Sequence, residues 1–371
     1  MEIGTGLSER SQQAPRSQPH APRAARTCDL VLLTWNRADL LMPCVESILR
    51  YTDIPSRLLI VDNASTDADA IAFLERVQGT PAVEVEVVRR SHNDGYAVGM
   101  NEGLRRATAP WVCLLNNDIL VTEGWLSEML HVAQANPAIG LLNPMSNEFG
   151  VRPAQADETI DGIARSRRRY HGQWLESFMG VGFCLLFVRS LVEQIGYLDE
   201  EFKFLYHEDR DYSVRVRQAG YLCAIAEGAY VYHHGRSGMK QNPALEGLLY
   251  ENEERFYQKW QHLERSRRIA CVVTHRCLAR PQTTRDRIRN LANAGHVVWV
   301  YVARQDPACL PHHIDVRFKR LRGPAYPLQV VVRVLTKKKR FHRILVYDRW
   351  LGSILRLLRP LHRADVVIED T

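Results

Sequence analysis

The run Glu208-Asp209-Arg210-Asp211 places three carboxylates within four positions, the residue types of a general base or a metal shell. At a helix start the same acids would serve to offset the helix dipole. Asp211 has a partner of its own in Arg215, one turn along. Asp209 and Asp211 lie two residues apart, so in a helix begun by Asp209 they cannot share a face, and only one can act as a base. Asn116-Asn117-Asp118 ends an apolar run with a lone carboxylate, which beside a diphosphate would suit Mg²⁺ or Mn²⁺, since hard cations take oxygen and share substrate phosphates. Read alone, that tripeptide is also turn-like. His233-His234-Gly235-Arg236-Ser237 offers an imidazole that could complete a metal shell. Zinc is disfavoured there, because no Cys or second His lies nearby at ligand spacing.

Two further segments have the chemistry of ligand loops. Asp62-Asn63-Ala64-Ser65 follows an apolar run; a carboxylate there can accept hydrogen bonds from a base or ribose, or can make an Asx turn that caps the next helix. Asn93-Asp94-Gly95-Tyr96 and Gly99-Met100-Asn101-Glu102-Gly103 gather glycines and amides at a helix start, where backbone N–H groups can approach a ligand. That segment is neither GxGxxG nor a Walker loop, and a plain capped helix reads equally well.

These residues need elements to position them. Asp29–Trp35, Arg57–Val61, Val83–Val88 and Trp111–Leu115 read as strands, with helices expected at 38–51, 67–77 and 97–107. Apolar strands alternating with helices imply a parallel sheet covered on both faces. In such sheets ligands bind at the carboxyl ends of strands, where Asp62 and Asp118 both fall. Residues 145–175 read as irregular and polar. Structure resumes over 178–188, with a helix at 190–195 stopped by Gly196. A second helix runs from the acidic cluster to Ala219, with Gly220 as its left-handed stop. A strand near 223–226 leads to Tyr230–His234, and a charged helix over 243–263 closes the first unit. A new βα pattern starts at Ile269–Val273 and continues with a helix at 284–294 and strands at 296–303, 344–347 and 366–368.

Composition separates the same two units. The chain has 371 residues and a net charge of +7. Residues 265–371 hold 23 basic and 7 acidic side chains, a net of +16, whereas residues 1–264 hold 26 and 35, a net of −9. An ordinary apolar and charged content excludes disorder, collagen and coiled coil as descriptions of the whole. None of the eight cysteines forms a CxxC pair, and several sit in apolar runs, as buried thiols in a reducing compartment would. No apolar run approaches the roughly 18 residues of a membrane span. The first 27 residues lack the apolar core of a secretory signal and read as a disordered tail. A cytoplasmic protein is expected, peripheral on the inner membrane face through its basic segment.

In this order and spacing, Leu33-Thr34-Trp35-Asn36-Arg37, Val61–Ser65, Asn93–Asn101, Leu114–Asp118, Gly182, Glu208–Tyr212 and His233–Ser237 resemble a GT-A fold glycosyltransferase of family 2, on its rhamnosyltransferase-like branch. The resemblance covers about residues 28–260. It implies a GT-A domain over 28–264, with a Rossmann-like mixed sheet that binds a nucleotide sugar. Thr34, Asn36, Asp62, Asn93, Gly95, Asn101 and Asn117 would lie along the donor, and Asp62 would favour UDP- or dTDP-sugars. Asp118 would be the metal ligand, with His233, or His234 in its place, as the later metal or diphosphate contact. Asp209 would be the catalytic base, next to Glu208. The implied chemistry is inverting single displacement, with Mg²⁺ or Mn²⁺, onto a glycan or lipid-linked acceptor in cell-surface polysaccharide synthesis. In one departure, Asn116 replaces the first carboxylate of the DxD segment. Residues 265–371 resemble, more weakly, the opening βαβ units of a GT-B glycosyltransferase.

Two other readings compete with transfer of a sugar. A nucleotidyltransferase would share sheet, metal and acids, but Thr34–Ala38 lacks the Gly-rich loop expected after its first strand. A non-catalytic module binding sugars or anions would have no need of Asp62, Asp118 and Asp209 together. Nucleic-acid binding is disfavoured, because Lys337–Arg340 is one short cluster without interleaved aromatics.

Overall fold

The computed structural model describes residues 26–149, 158–235, 244–273, 281–302, 310–321, 323 and 325–369. The first unit opens with β1 (Cys28–Thr34), α1 (Ala38–Tyr51), β2 (Ser56–Asp62), α2 (Ala68–Arg76), β3 (Val83–Arg89), α3 (Tyr96–Arg106) and β4 (Trp111–Asn116). It continues with β5 (Ile119–Val121), α4 (Trp125–Ala135), β6 (Ile139–Met145), α5 (Ile160–Arg167), β7 (Trp174–Ser177) and β8 (Cys184–Val188). It ends with α6 (Ser190–Ile195), α7 (Glu208–Gln218), β9 (Leu222–His233) and α8 (Ala244–Lys259). These strands form one mixed sheet in the order β3-β2-β1-β4-β8-β6-β9-β5, with β7 added along β9. The β3-β2-β1-β4 half is parallel, and β8 then runs antiparallel to β4 and to β6. β1, β2 and β4 are apolar along nearly their whole length because helices cover both faces. One layer packs α1, α2 and α4 around Leu41, Ile48, Leu74 and Trp125; the other packs α3 and α7 around Met100, Leu104 and Tyr212.

The expected α/β fold with a mixed sheet and a second α/β unit is therefore present. The region 145–175 is more regular than its polarity implies: α5, a 3₁₀ turn at 168–170 and the start of β7 occupy it, while residues 150–157 lie outside the described residues. The acidic motif's helix begins at Glu208, and 223–226 and 230–233 belong to one bulged strand, β9. Of the expected tail, residues 1–25 lie outside the described residues, but Thr27 already bonds to Pro55 and Trp111 at the sheet edge. Six cysteines are buried free thiols; Cys277 and Cys309 lie outside the described residues.

The second unit holds β10 (Arg268–Val273), α9 (Pro281–Asn293), β11 (Val297–Val302), β12 (Val316–Arg320), α10 (Tyr326–Thr336), β13 (Arg343–Val346), α11 (Arg349–Leu357), α12 (Arg359–His362) and β14 (Asp365–Ile368). Its five strands are all parallel, in the order β12-β11-β10-β13-β14. The units join along β7: Glu176 pairs its backbone with residues 312–314, and its buried carboxylate accepts from Arg289 (2.6 Å) and Asn293 (2.7 Å). No helix among the described residues is long and apolar enough to cross a membrane.

Candidate active site

Parallel pairing puts Thr34 opposite Asp62 and Leu33 opposite Asn116, so three strands end side by side. The Asn117 amide donates to Thr34 Oγ1 (3.0 Å) across that edge. After β1 the chain turns through Asn36 and Arg37, both left-handed (φ 55° and 57°). Asn36 stitches this turn to the one after β2: its N–H donates to Ser65 Oγ, and its Oδ1 accepts from the Thr66 and Asp67 N–H groups. Asp67 caps α2 and also accepts the first N–H of α1, at Ala38, since Arg37 brings no side-chain cap. Asp62 is fully buried. Its Oδ1 accepts from Ser65 N–H (2.9 Å) and its Oδ2 pairs with Arg89 (3.0 Å). The turn expected of Asp62 is thus present, with Arg89 as a cation that the sequence pattern did not single out.

Asn93 Oδ1 accepts from Gly95 N–H and from Asn63 Nδ2, which ties the loop before α3 to the tip of β2. Gly95 (φ +93°) is needed there twice over: its backbone is left-handed, and a Cβ would come within 2.4 Å of Phe204 Cα. Phe204, Tyr206 and His207 are themselves left-handed, so the segment entering α7 is held in a strained form against the start of α3. Asn101, expected beside the donor, is instead buried away from it. Its amide donates to Leu198 O and Glu200 Oε1 and accepts from Leu198 N–H, so it clamps the segment leading to the acidic motif.

That motif divides its three acids. Asp211 is buried in the helix body and paired with Arg215 (2.9 Å), Lys259 (2.7 Å) and the Trp260 indole N–H (2.9 Å), a structural role. Asp209 faces the other way, toward the loop before β8, where its Oδ2 accepts from Gly182 N–H (3.1 Å) and its Oδ1 from Arg210 N–H (2.7 Å). Each carboxylate oxygen has a further lone pair for a substrate hydroxyl. Burial pushes the Asp209 carboxyl above the usual range, held back by those two N–H groups and the Arg210 guanidinium. Glu208 is pushed up further, by burial and by Asp209, and its Oε2 has no hydrogen-bond partner among the described residues. Both carboxyls of the pair therefore hold their protons more tightly than free carboxyls do. Gly182 also comes close to a neighbour: a Cβ would lie 2.7 Å from the Tyr96 hydroxyl, which donates to Gly182 O (2.8 Å).

Next to Gly182, Phe183 stacks on the His233 ring with centroids 5.0 Å apart. β5 pairs with β9 so that Ile119 faces His233, which brings His233 Nε2 to 3.2 Å from Asp118 Oδ1. Glu148 stands 3.3 Å from the other ring nitrogen, and Asn147 holds the His233 backbone. His234 is exposed and turned edge-on to Tyr232; its backbone N–H donates to Asp118 O (2.9 Å), while the imidazole beside the Asp118 carboxylate is that of His233. Among the described residues no three His, Cys, Asp or Glu side chains converge as a complete metal cage. One carboxylate oxygen and one imidazole nitrogen at this separation suit a divalent cation that takes its remaining ligands from substrate oxygens and water.

A continuous path thus links the two chemical groups: Asp209 holds Gly182, Phe183 follows, and Phe183 stacks on the histidine beside Asp118. Arg89, Tyr96, Phe183, Glu148 and the Phe204 segment complete the site. They sit far in sequence from what they touch, and of them only Tyr96 lay within a segment that the sequence singled out.

Residues 29–196 match the family model described as glycosyl transferase family 2. The chain is 27% identical over 246 residues to the N-acetylglucosaminyl-diphospho-decaprenol L-rhamnosyltransferase of Mycobacterium tuberculosis, covering 58% of this chain and 78% of that protein. It is 26% identical to the protein y4gI of Sinorhizobium fredii, covering 62% of this chain and 27% of that much longer relative. Among solved structures it is similar to the mannosyltransferase PcManGT of Pyrobaculum calidifontis, in complex with GDP-Man and Mn²⁺, at 19% identity and a TM-score of 0.45 over 60% of each chain.

Proposed function

We propose, from the premise that residues 29–196 are a glycosyl transferase family 2 domain, that the protein is an inverting glycosyltransferase. It would move a sugar from a UDP- or dTDP-sugar to a hydroxyl of a glycan or lipid-linked acceptor in cell-surface polysaccharide synthesis. The observation that carries this reading is the path from Asp209 through Gly182 and Phe183 to His233 and Asp118. It joins a buried base to a two-donor cation site at the end of the strands that also present Asp62 and Thr34. The rhamnosyltransferase named above, whose acceptor is lipid-linked, supports the acceptor class.

In this mechanism the nucleotide lies along the tips of β1 and β2, with Asp62 kept in place by Arg89 and the Ser65 N–H. Asp118 and His233 would hold Mg²⁺ or Mn²⁺, which when bound offsets charge on the leaving diphosphate. Asp209 accepts the proton of the acceptor hydroxyl as that oxygen attacks the anomeric carbon from the face opposite the diphosphate. Its raised proton affinity suits that role. Tyr96 and Gly182 fix the backbone on which Asp209 is hung.

Replacing Asp209 by Asn keeps the size of the side chain and removes the base, at the loss of one of the two N–H bonds that the carboxylate accepts. Transfer is expected to fall about a thousandfold while donor affinity stays within about threefold. A variant that still transfers at the wild-type rate overturns the assignment.

A further inference from the structure

The second sheet has two faces with different uses. The α9 face is turned to the first unit: Arg289 and Asn293 reach Glu176, Arg217 donates to Asn293, and Gly295 sits against Phe178. The opposite face carries α10, α11 and α12, with α12 packed against both of the others. Each helix buries one stripe on the sheet, Tyr326, Val330 and Val334 from α10 and Leu351 and Leu355 from α11. The outward stripe is apolar too. Leu328, Val332 and Leu335 lie four and three residues apart, hence on one side of α10, and all are exposed. Trp350, Leu357 and Leu361 extend the apolar surface over α11 and α12, with Leu357 81% exposed.

This surface is framed by cations. Residues 326–364 contain ten basic side chains and one acidic one, Asp348, which is occupied in capping α11. Arg356, Arg359 and Arg363 converge with Leu357 and Pro360 on a shallow groove. Single exposed apolar residues need no explanation, but a ridge of six ringed by positive charge does. A second copy of the same face would bring like charges together, and a nucleic acid would leave the ridge without a partner. An anionic bilayer satisfies both features, taking the apolar tips into the headgroup boundary and pairing phosphates with the arginines.

We propose that the α10–α12 face docks the protein on an anionic lipid bilayer. The reading does not depend on sugar transfer, because docking is measured without donor or acceptor. The full chain is sedimented with vesicles of phosphatidylcholine alone and of phosphatidylcholine mixed with phosphatidylglycerol, alongside the double variants Leu357→Ser/Leu361→Ser and Arg359→Glu/Arg363→Glu. All four positions are exposed, and far-UV circular dichroism checks that each variant is folded. The wild type should bind only the anionic vesicles, more weakly as salt is raised, and each double variant should lose about tenfold in affinity. The proposal is overturned if the wild type ignores anionic vesicles, or if both folded variants bind them as the wild type does. It is equally overturned if the leucine variant merely dissociates a dimer with vesicle binding unchanged.

Discussion

The molecule contains two sheets with parallel strands and helices on both faces, and they differ in what their polar residues do. In the first, Thr34, Asp62 and Asn117 crowd the carboxyl ends of neighbouring strands, and every side chain is held by another from a distant loop. In the second, Arg333, Arg356, Arg359 and Arg363 lie exposed on or beside the helices of the face turned away from the first unit. The same architecture therefore arranges its polar groups in two ways: buried and interlocked in the first unit, exposed around an apolar ridge in the second, the face proposed above to dock on a bilayer. Net charge of one unit says little about the other, and the chain's +7 describes neither.

The contrast can be broken most severely at Asp118. Asp118→Ala removes the carboxylate that faces His233 Nε2 and should lower turnover about a hundredfold, with a higher divalent-ion concentration needed for half-maximal rate. Initial rates across a Mn²⁺ titration read both; an unchanged titration would move the cation site elsewhere. Gly95→Ala tests whether the strained segment before α7 matters. The added methyl meets the Phe204 backbone and forces a left-handed alanine, so about 2 kcal/mol of stability and at least tenfold in turnover should be lost, seen by thermal melting and kinetics.

The join between the units is a milder test. Glu176→Ala leaves Arg289 and Asn293 without their acceptor, but Arg289 is partly solvated, so a loss of about 1 kcal/mol in denaturant melts is expected. Smaller again is a pH effect at Glu208. Its folded carboxyl is raised above its unfolded value, so its contribution is intact at pH below about 4 and is lost as pH rises through the folded value. Glu208→Gln should therefore leave stability unchanged at acid pH and raise it as pH climbs toward 8. A difference independent of pH would contradict the raised proton affinity. The sugar-transfer rate itself should show an acid limb above the ordinary carboxylate range, set by Asp209. Finally, Arg359→Glu/Arg363→Glu should change turnover on a water-soluble acceptor less than twofold, which keeps location apart from chemistry.

Much of the first sheet was legible because its strands are short apolar runs punctuated by polar tips, a local pattern. The division of labour within Glu208–Asp211 was half legible: the helical spacing excluded a shared face, and the Arg215 partner of Asp211 lay one turn away. What remained hidden depends on contacts between distant segments. Choosing His233 over His234 requires the antiparallel pairing of β5 with β9. Asn101 reads as a loop amide until Leu198 and Glu200 are folded onto it. α10 was missed although Gln329, Arg333 and Thr336 give it a polar side, because its four valines favour a strand as readily as a helix.

The central claim is that the edge bearing Asp62, Asp118 and Asp209 takes a nucleotide sugar. The most direct measurement is thermal shift and donor hydrolysis across a panel of UDP-, dTDP-, GDP- and CMP-sugars, each with Mg²⁺ or Mn²⁺. The account predicts stabilisation and turnover confined to UDP- or dTDP-sugars, strengthened by the cation and weakened in Asp118→Ala. No response to any donor, or a response that Asp118→Ala leaves untouched, would contradict it.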